Sequence, residues 1–448
     1  MRSQSIALPT KFGFDLPGST TFVSNGRVLK EVDALASRDL VCKINLSDYN
    51  FKYLGQELLS NLFNYETIKE NRVKDYGFNI VTKYKIDNHH YFVNGYNFSF
   101  NNLSYTIGNQ SDVIFENDFS ITSENNKNSI HSLFSEYHLN INKWTINSGL
   151  RVSYLTNISK FFIEPRIHIS KEIVNAFNLT FSAEKKHQYT SQIIEFETQN
   201  FGLENQVWIL AGTNKVPILE SRQISIGASI EKNNWSLNIE SYYKKNKNLT
   251  SITKGFNREV NGNEFSTGNS TIFGTDILVK KQVKNFTSLI SYSITENDFE
   301  FKNLNKQKPF SGNFDIRHYL SLIQSASFNN LELSLGWKFR TSKPYTPAFG
   351  ILGDNANNLR IDYGKINSVR LSNYHRLDFS AKYKFKPFKN SKIKATLGFS
   401  LLNIYNQRNI LNRTYRIILD TKNASYNLSE RNKFSLNRTP NFIFRLDF

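Results

Sequence analysis

Apolar and polar residues alternate one by one over long stretches of this 448-residue chain, and a period of two restricts it to extended, two-faced strands. After Lys143, Trp144, Ile146, Leu150, Val152 and Tyr154 share one side, while Thr145, Asn147, Gly149, Arg151 and Ser153 share the other. Leu331, Leu333, Leu335, Trp337 and Phe339 stand against Glu332, Ser334, Gly336, Lys338 and Arg340 in the same way. Leu377, Phe379, Ala381, Tyr383 and Phe385 oppose Asp378, Ser380, Lys382 and Lys384. Each segment therefore has one greasy face and one polar face.

Such segments recur at 40-54, 76-87, 90-105, 130-142, 143-156, 161-173, 176-189, 221-232, 235-247, 271-282, 286-298, 317-328, 330-342, 375-386, 392-406 and 441-448. The pattern predicts about sixteen strands, with one more possible before residue 40. Many match the roughly 9–11 residues that cross a bilayer at a tilt. Short polar turns (KIDNHH, NINKW, EKNNW, VKNF, SFNNL) alternate with longer links at 106-129, 190-220, 248-270, 299-316 and 343-374, apart from a short link between Tyr154 and Phe161. Tight turns on one side and long loops on the other predict an all-β fold, an antiparallel up-and-down transmembrane barrel. The expected division is an irregular N-terminal segment over 1-39, with room for one strand, and a barrel region over 40-448.

Composition narrows the choice. A mean hydropathy of -0.46, with no long apolar run, excludes helical membrane spans. The 37 Phe and 22 Tyr are too many for a disordered chain. A single cysteine, Cys42, excludes an intrachain disulfide and Cys-based metal sites. The formal charge of +18 invites a nucleic-acid reading. Its densest clusters, KKNKN at 244-248 and KFKPFKNSKIK at 384-394, fall where turns are expected, so anionic lipid headgroups or surface sugars are the expected neighbours and nucleic acid is not.

The N-terminal MRSQSIALPTKFGFDLPGS has no apolar core of about 7–15 residues and does not read as a secretory signal. At the other end, NFIFRLDF sets Phe442, Phe444, Leu446 and Phe448 on one face. A last strand closing on an aromatic looks like the signal read by the outer-membrane barrel insertion machinery.

An ordered set of blocks resembles the C-terminal barrel of TonB-dependent outer-membrane receptors of the Bacteroidetes type. The blocks are WTINSGLRVSYLTNISKFFIEPRIHISKEIVNAFNLTFSAEKKHQY at 144-189, PILESRQISIGASIEKNNWSLNIESYYKKNKNL at 217-249, FDIRHYLSL at 314-322, GWKFRTSKPYTP at 336-347, YHRLDFSAKYKF at 374-385, LGFSLLNIYNQRN at 397-409 and the terminal FIFRLDF. The resemblance implies a barrel of about 22 strands behind an N-terminal plug. Counting back from the last strand makes the one near residue 40 about the seventh. The expectation is a barrel portion of about 16 or 17 strands, without signal peptide or plug and not transport-competent alone. The intact parent is expected to take up a scarce solute (siderophore, vitamin, peptide or glycan) with energy from TonB through the plug. A passive porin of about sixteen strands and a surface adhesin of soluble β-structure are the alternatives.

Charge at mid-bilayer costs about 2–4 kcal/mol for Lys or Arg, so the apolar face must be the outer one. The lumen is then expected to carry Glu164, Arg166, His168, Glu184, Glu240, Asp276, Lys280, Glu332, Lys338, Arg340, Asp378 and Lys382, as a solute-guiding wall or as hydrated ion pairs that fill space. Recognition falls to the long loops. In 190-220, Trp208 is the anchor candidate with Gln206 beside it; in 343-374, Tyr345, Arg360, Asp362 and Tyr363 are the candidates. Trp208 could instead pack its own loop or sit in an interfacial belt.

Chemistry finds no foothold. The eight His lie mostly singly, and the adjacent His89 and His90 point to opposite sides of an extended chain. No GxSxG, HExxH or phosphate-binding Gly loop occurs. No catalytic residue, metal or cofactor is expected.

Overall fold

The computed structural model describes residues 4–16, 19–36, 40–60, 63–111, 122–194, 207–213, 216–251, 265–302, 304–353, 359–388, 393–420, 423 and 425–447. They build one antiparallel sheet of 19 strands. Every segment marked by the alternation is a strand of it: Leu40–Ser60, Phe63–Lys85, His90–Ser111, Thr122–Ile141, Trp144–Leu155, Lys160–Val174, Phe177–Gln188, Leu219–Lys232, Trp235–Ser251, Ser266–Val283, Phe286–Phe301, His318–Phe328, Leu331–Arg340, Tyr374–Phe385, Lys394–Leu402 and Thr439–Asp447. Each pairs antiparallel with the next. Ahead of them, Gln4–Leu16 pairs with Ser19–Ala36, and that strand with Leu40–Ser60. Phe310–Ser311 adds to the loop end of Phe286–Phe301. The result is the up-and-down topology of an outer-membrane barrel.

The tight turns follow from local chemistry. Asn142 and Lys143 (φ 45° and 71°) close the hairpin whose last pair is Ile141 opposite Trp144. Asn233 and Asn234 (φ 50° and 62°) do the same between Lys232 and Trp235. Two successive left-handed residues form the turn whose twist matches that of the strands, and Asn tolerates that region well.

Side chains divide as the period requires. Phe161 is 70% exposed and Ile163 55%, whereas Glu164 between Ile163 and Pro165 turns to the other face. Leu133 (65% exposed) and Ile226 (64%) belong to the same outer band. In a soluble sandwich these rows would be covered by a second layer; here they form the lipid face. A belt marks its short-turn edge. The Lys171 ammonium lies 4.4 Å from the ring centroid of Trp144, its cross-strand partner. Lys281 and Trp235 repeat the arrangement at 4.7 Å. An amphipathic ring with a cation above it suits the headgroup level.

Several strands are longer than a bilayer needs. Phe63–Lys85 has 23 residues and His90–Ser111 has 22, against roughly 9–11 for a crossing. Their far halves extend beyond that length on the long-loop side.

Candidate solute-binding vestibule

The polar face is a ladder of cross-strand pairs. Arg166 sits opposite Glu184, and its guanidinium bonds Glu136, which also lies 3.5 Å from His138. Glu184 instead holds Lys186 at 2.6 Å. His168 shares a 2.8 Å hydrogen bond with Ser182. Lys382 and Lys384 both grip Glu332, at 3.0 and 2.6 Å. Asp378 binds Arg376 and accepts the backbone N–H of Asn403 at 2.9 Å. Lys338 faces Arg376 across the ladder, and the Arg340 guanidinium covers the Tyr374 ring at 4.9 Å. Glu240 and Asp276 are direct neighbours with Lys280 four residues beyond. Paired charges of this kind need water on their free side.

Glu164 does more than line the wall. Its Oε1 accepts the backbone N–H of His187 at 2.7 Å and the Tyr189 hydroxyl at 3.3 Å, and Arg151 approaches its other oxygen at 3.7 Å. The strand Phe177–Gln188 is thereby pinned where it enters the long loop. Burial pushes the Tyr189 phenol up, and the Glu164 charge adds to the shift.

That loop folds against the inner face of the vestibule wall. Thr190–Gln192 pairs with Trp208–Leu210. Ile193, Val207, Ile209, Ala211, Val216 and Ile218 pack with Tyr105, Ile130 and Leu155, all nearly inaccessible. The last three share the inward face with Ser132 and Ser153, whose hydroxyls meet at 2.9 Å. Trp208 is half-buried, and its backbone is held by Asn71 on the wall. Gln206 lies outside the described residues.

The second recognition loop is tied to an element that the polarity pattern does not mark. Ile410–Asp420 and Ser425–Phe434 form a hairpin in the link between Lys394–Leu402 and Thr439–Asp447. Its Arg413 donates to the Tyr345 hydroxyl at 3.0 Å, stacks over that ring at 5.1 Å, and pairs with Glu430 at 3.1 Å. Tyr415 meets Tyr363 edge-on at 6.4 Å, and burial raises its phenol, with Tyr345 adding to the effect. Arg360 and Asp362 lie on Arg360–Tyr363, opposite Leu352 and Gly350. Arg413 and Tyr415 are thus functional candidates that sequence reading missed. Tyr415, Arg416, Ile417 and Ile418 follow one another without alternation, so this hairpin carries no period-two stripe.

The loops are joined to one another. Phe301, Leu304 and Phe310 form a buried knot with Ile194 of the first loop and Ile366 of the second. Asp315, with a fully buried carboxylate, binds the Arg370 guanidinium and accepts the N–H of Asn297 at 3.1 Å. Arg370 also donates to the carbonyls of Asp315 and Ser342, at 2.7 and 2.9 Å. Asn367 ties in Ser311 and Asn313. The rim is an aromatic and Arg-rich surface fixed by its own core.

At the far end of the chain, Phe442, Phe444 and Leu446 lie on the outer face of Thr439–Asp447, and the Phe442 ring meets Phe399 at 5.1 Å. Phe448 lies outside the described residues.

No protein-family model and no curated protein matches this chain. Solved structures do. The ferric citrate transporter FecA in its unliganded form superposes with a TM-score of 0.59 at 12% identity, over 96% of this chain and 62% of that one. The ferric yersiniabactin uptake receptor FyuA from Yersinia pestis gives 0.62 at 10%, over 96% and 62%. BauA, the ferric preacinetobactin receptor from Acinetobacter baumannii, gives 0.54 at 12%, over 96% and 63%. The likeness is one of fold, and the chain spans less than two thirds of each of these proteins.

Proposed function

We propose that this chain is the barrel region of a TonB-dependent outer-membrane receptor that captures a scarce solute at its long-loop rim. The observation that carries the reading is the locked rim itself. Long loops contribute to one buried knot around Phe301, and the Asp315–Arg370 pair fixes two of them together. Loops that merely connected strands would gain nothing from such an arrangement, whereas a binding surface gains affinity by being ordered beforehand. The order of the sequence blocks supports the family reading, as does the likeness to solved barrels whose names specify ferric chelates. Iron-loaded siderophores therefore come first among the candidate solutes, ahead of vitamins, peptides and glycans. Trp208, Tyr345, Asp362, Tyr363 and Arg413 are the contact residues in this reading, and an Arg beside stacked aromatics suits a flat anionic chelate. Coupling to TonB runs through a plug domain, which is a separate unit from the barrel residues.

The test is a titration of the refolded chain in detergent with ferric siderophores and ferric citrate, followed by tryptophan quenching. Saturable quenching that weakens at least about tenfold in Tyr345→Ala or Arg413→Ala supports the assignment, a loss of about 1.4 kcal/mol. Quenching by no chelate, or equal quenching by wild type and both variants, removes iron chelates as the ligand class.

A further inference from the structure

The outer face carries a feature that solute capture does not use. Ser135, Ser148 and Ala183 leave a trough of about 690 Å³ between bulkier neighbours, chiefly Tyr137, Leu150 and Ile224. Cross-strand register explains its course. Tyr137 lies opposite Ser148, Ser148 opposite Ile167, Ile167 opposite Ala183, and Ala183 opposite Ile224. Along this row of the lipid-facing surface the small Ser148 and Ala183 alternate with Tyr137, Ile167 and Ile224, and the trough opens over the small positions.

At its long-loop end the trough meets charge. Lys185 and Arg222 are cross-strand partners, one outward step beyond Ala183 and Ile224. Both engage the same carboxylate: Lys185 lies 3.1 Å and Arg222 2.8 Å from Glu220. His187 Nε2 is 3.6 Å from the same group. Two permanent cations share one anion, so the end of the trough stays positive, and Arg222 is 59% exposed. Lys185 stands nine residues into the strand that begins at Phe177, close to the roughly 9–11 residues of a full crossing. The pair therefore sits at headgroup height on the long-loop side.

We propose that this trough is a binding site for a membrane lipid with a phosphate headgroup, one acyl chain lying along Ser148 and Ala183 and the phosphate held by Lys185 and Arg222. The assignment rests on the barrel reading. A phosphate oxygen accepts from a guanidinium fork and an ammonium together, and anionic headgroups gain about fivefold in binding for each cation at the surface. An apolar trough with cations at one end matches a lipid and no water-soluble solute.

The experiment uses the chain refolded in mixed micelles with equal phosphatidylglycerol and phosphatidylcholine, followed by native mass spectrometry of the retained lipid. Wild type is expected to retain phosphatidylglycerol at least about fivefold over phosphatidylcholine. Lys185→Ser with Arg222→Ser should abolish the preference while leaving the apolar trough, and Ala183→Trp, which fills the trough, should reduce retention of both lipids. Equal retention of the two lipids by wild type, or a preference that survives the double substitution, overturns the site. Heat-modifiable gel mobility, recorded on every sample, reports separately whether the barrel has formed. A chain that stays soluble without detergent overturns the barrel reading itself.

Discussion

Asn71 holds the backbone of Trp208 from both sides. Its Oδ1 accepts the Trp208 N–H at 3.0 Å, and its Nδ2 donates to the Trp208 carbonyl at 2.8 Å and to the Ser104 carbonyl at 3.1 Å. One side chain thereby imitates a strand partner for a segment 137 residues away. The Asn71 side is only 1% exposed, so neither water nor another side chain can replace it cheaply.

Asn71→Ala should therefore release the loop without unfolding the barrel. Leaving a buried N–H and C=O unpaired costs about 1–3 kcal/mol each. Hydrogen exchange across 190–218 should speed up, and Trp emission should shift to the red, while heat-modifiable mobility stays unchanged. Protection equal to wild type across that loop would show that the apolar packing around Ile193 alone fixes it.

The Tyr189 phenol offers a second handle on the same loop. Its folded-state pKa is raised above the ordinary value near 10 by burial, with Glu164 nearby. A raised pKa means that the folded state favours the neutral phenol. Its stabilisation is complete below pH 10 and is lost as pH climbs through the folded pKa. Proteolysis between residues 189 and 218 should accelerate above pH 10, and Tyr189→Phe should flatten that dependence. An identical alkaline profile in the Phe variant would place the sensitive group elsewhere.

How much of this was legible beforehand depends on what each residue faces. Ile163 and Glu164 could be assigned to opposite faces because lipid and water impose opposite chemistry on alternate positions. The short polar strings NINKW and EKNNW marked the tight turns that lead into Trp144 and Trp235. Arg413 and Tyr415 gave no such signal: Tyr415, Arg416, Ile417 and Ile418 follow no alternation. The Asn71–Trp208 clamp was equally invisible, since one Asn in a polar stretch says nothing about a partner so distant in sequence. Period reads the wall well, and it cannot read contacts between loops.

Asp315 and Arg370 supply a prediction about the rim. Removing one member of a buried pair leaves an uncompensated charge and costs about 3–5 kcal/mol. Arg370→Ala leaves Asp315 with Arg317 at 3.6 Å as its remaining cation among the described residues, and also removes a donor from the carbonyl of Ser342. The links 302–317 and 341–373 should become protease-sensitive together. Asp315→Asn keeps the hydrogen bond from Asn297 and should have the smaller effect. Cleavage confined to one link would show that the knot around Phe301 couples the loops without this pair.

The assignment of faces can be tested at two positions on neighbouring strands. Ile226 is 64% exposed on the outer band, while Glu240 lies on the inner face opposite Asp276. Ile226→Arg places a cation in hydrocarbon at a cost of about 2–4 kcal/mol, and refolding into bilayers should fall roughly 30- to 800-fold in equilibrium terms. Glu240→Arg introduces the same side chain into the lumen, where it replaces a like-charge contact with an opposite-charge one, so assembly should be unchanged or improved. Urea titration in lipid vesicles measures both. If the two substitutions destabilise equally, or if Glu240→Arg is the worse, the polar row is not the water-facing one.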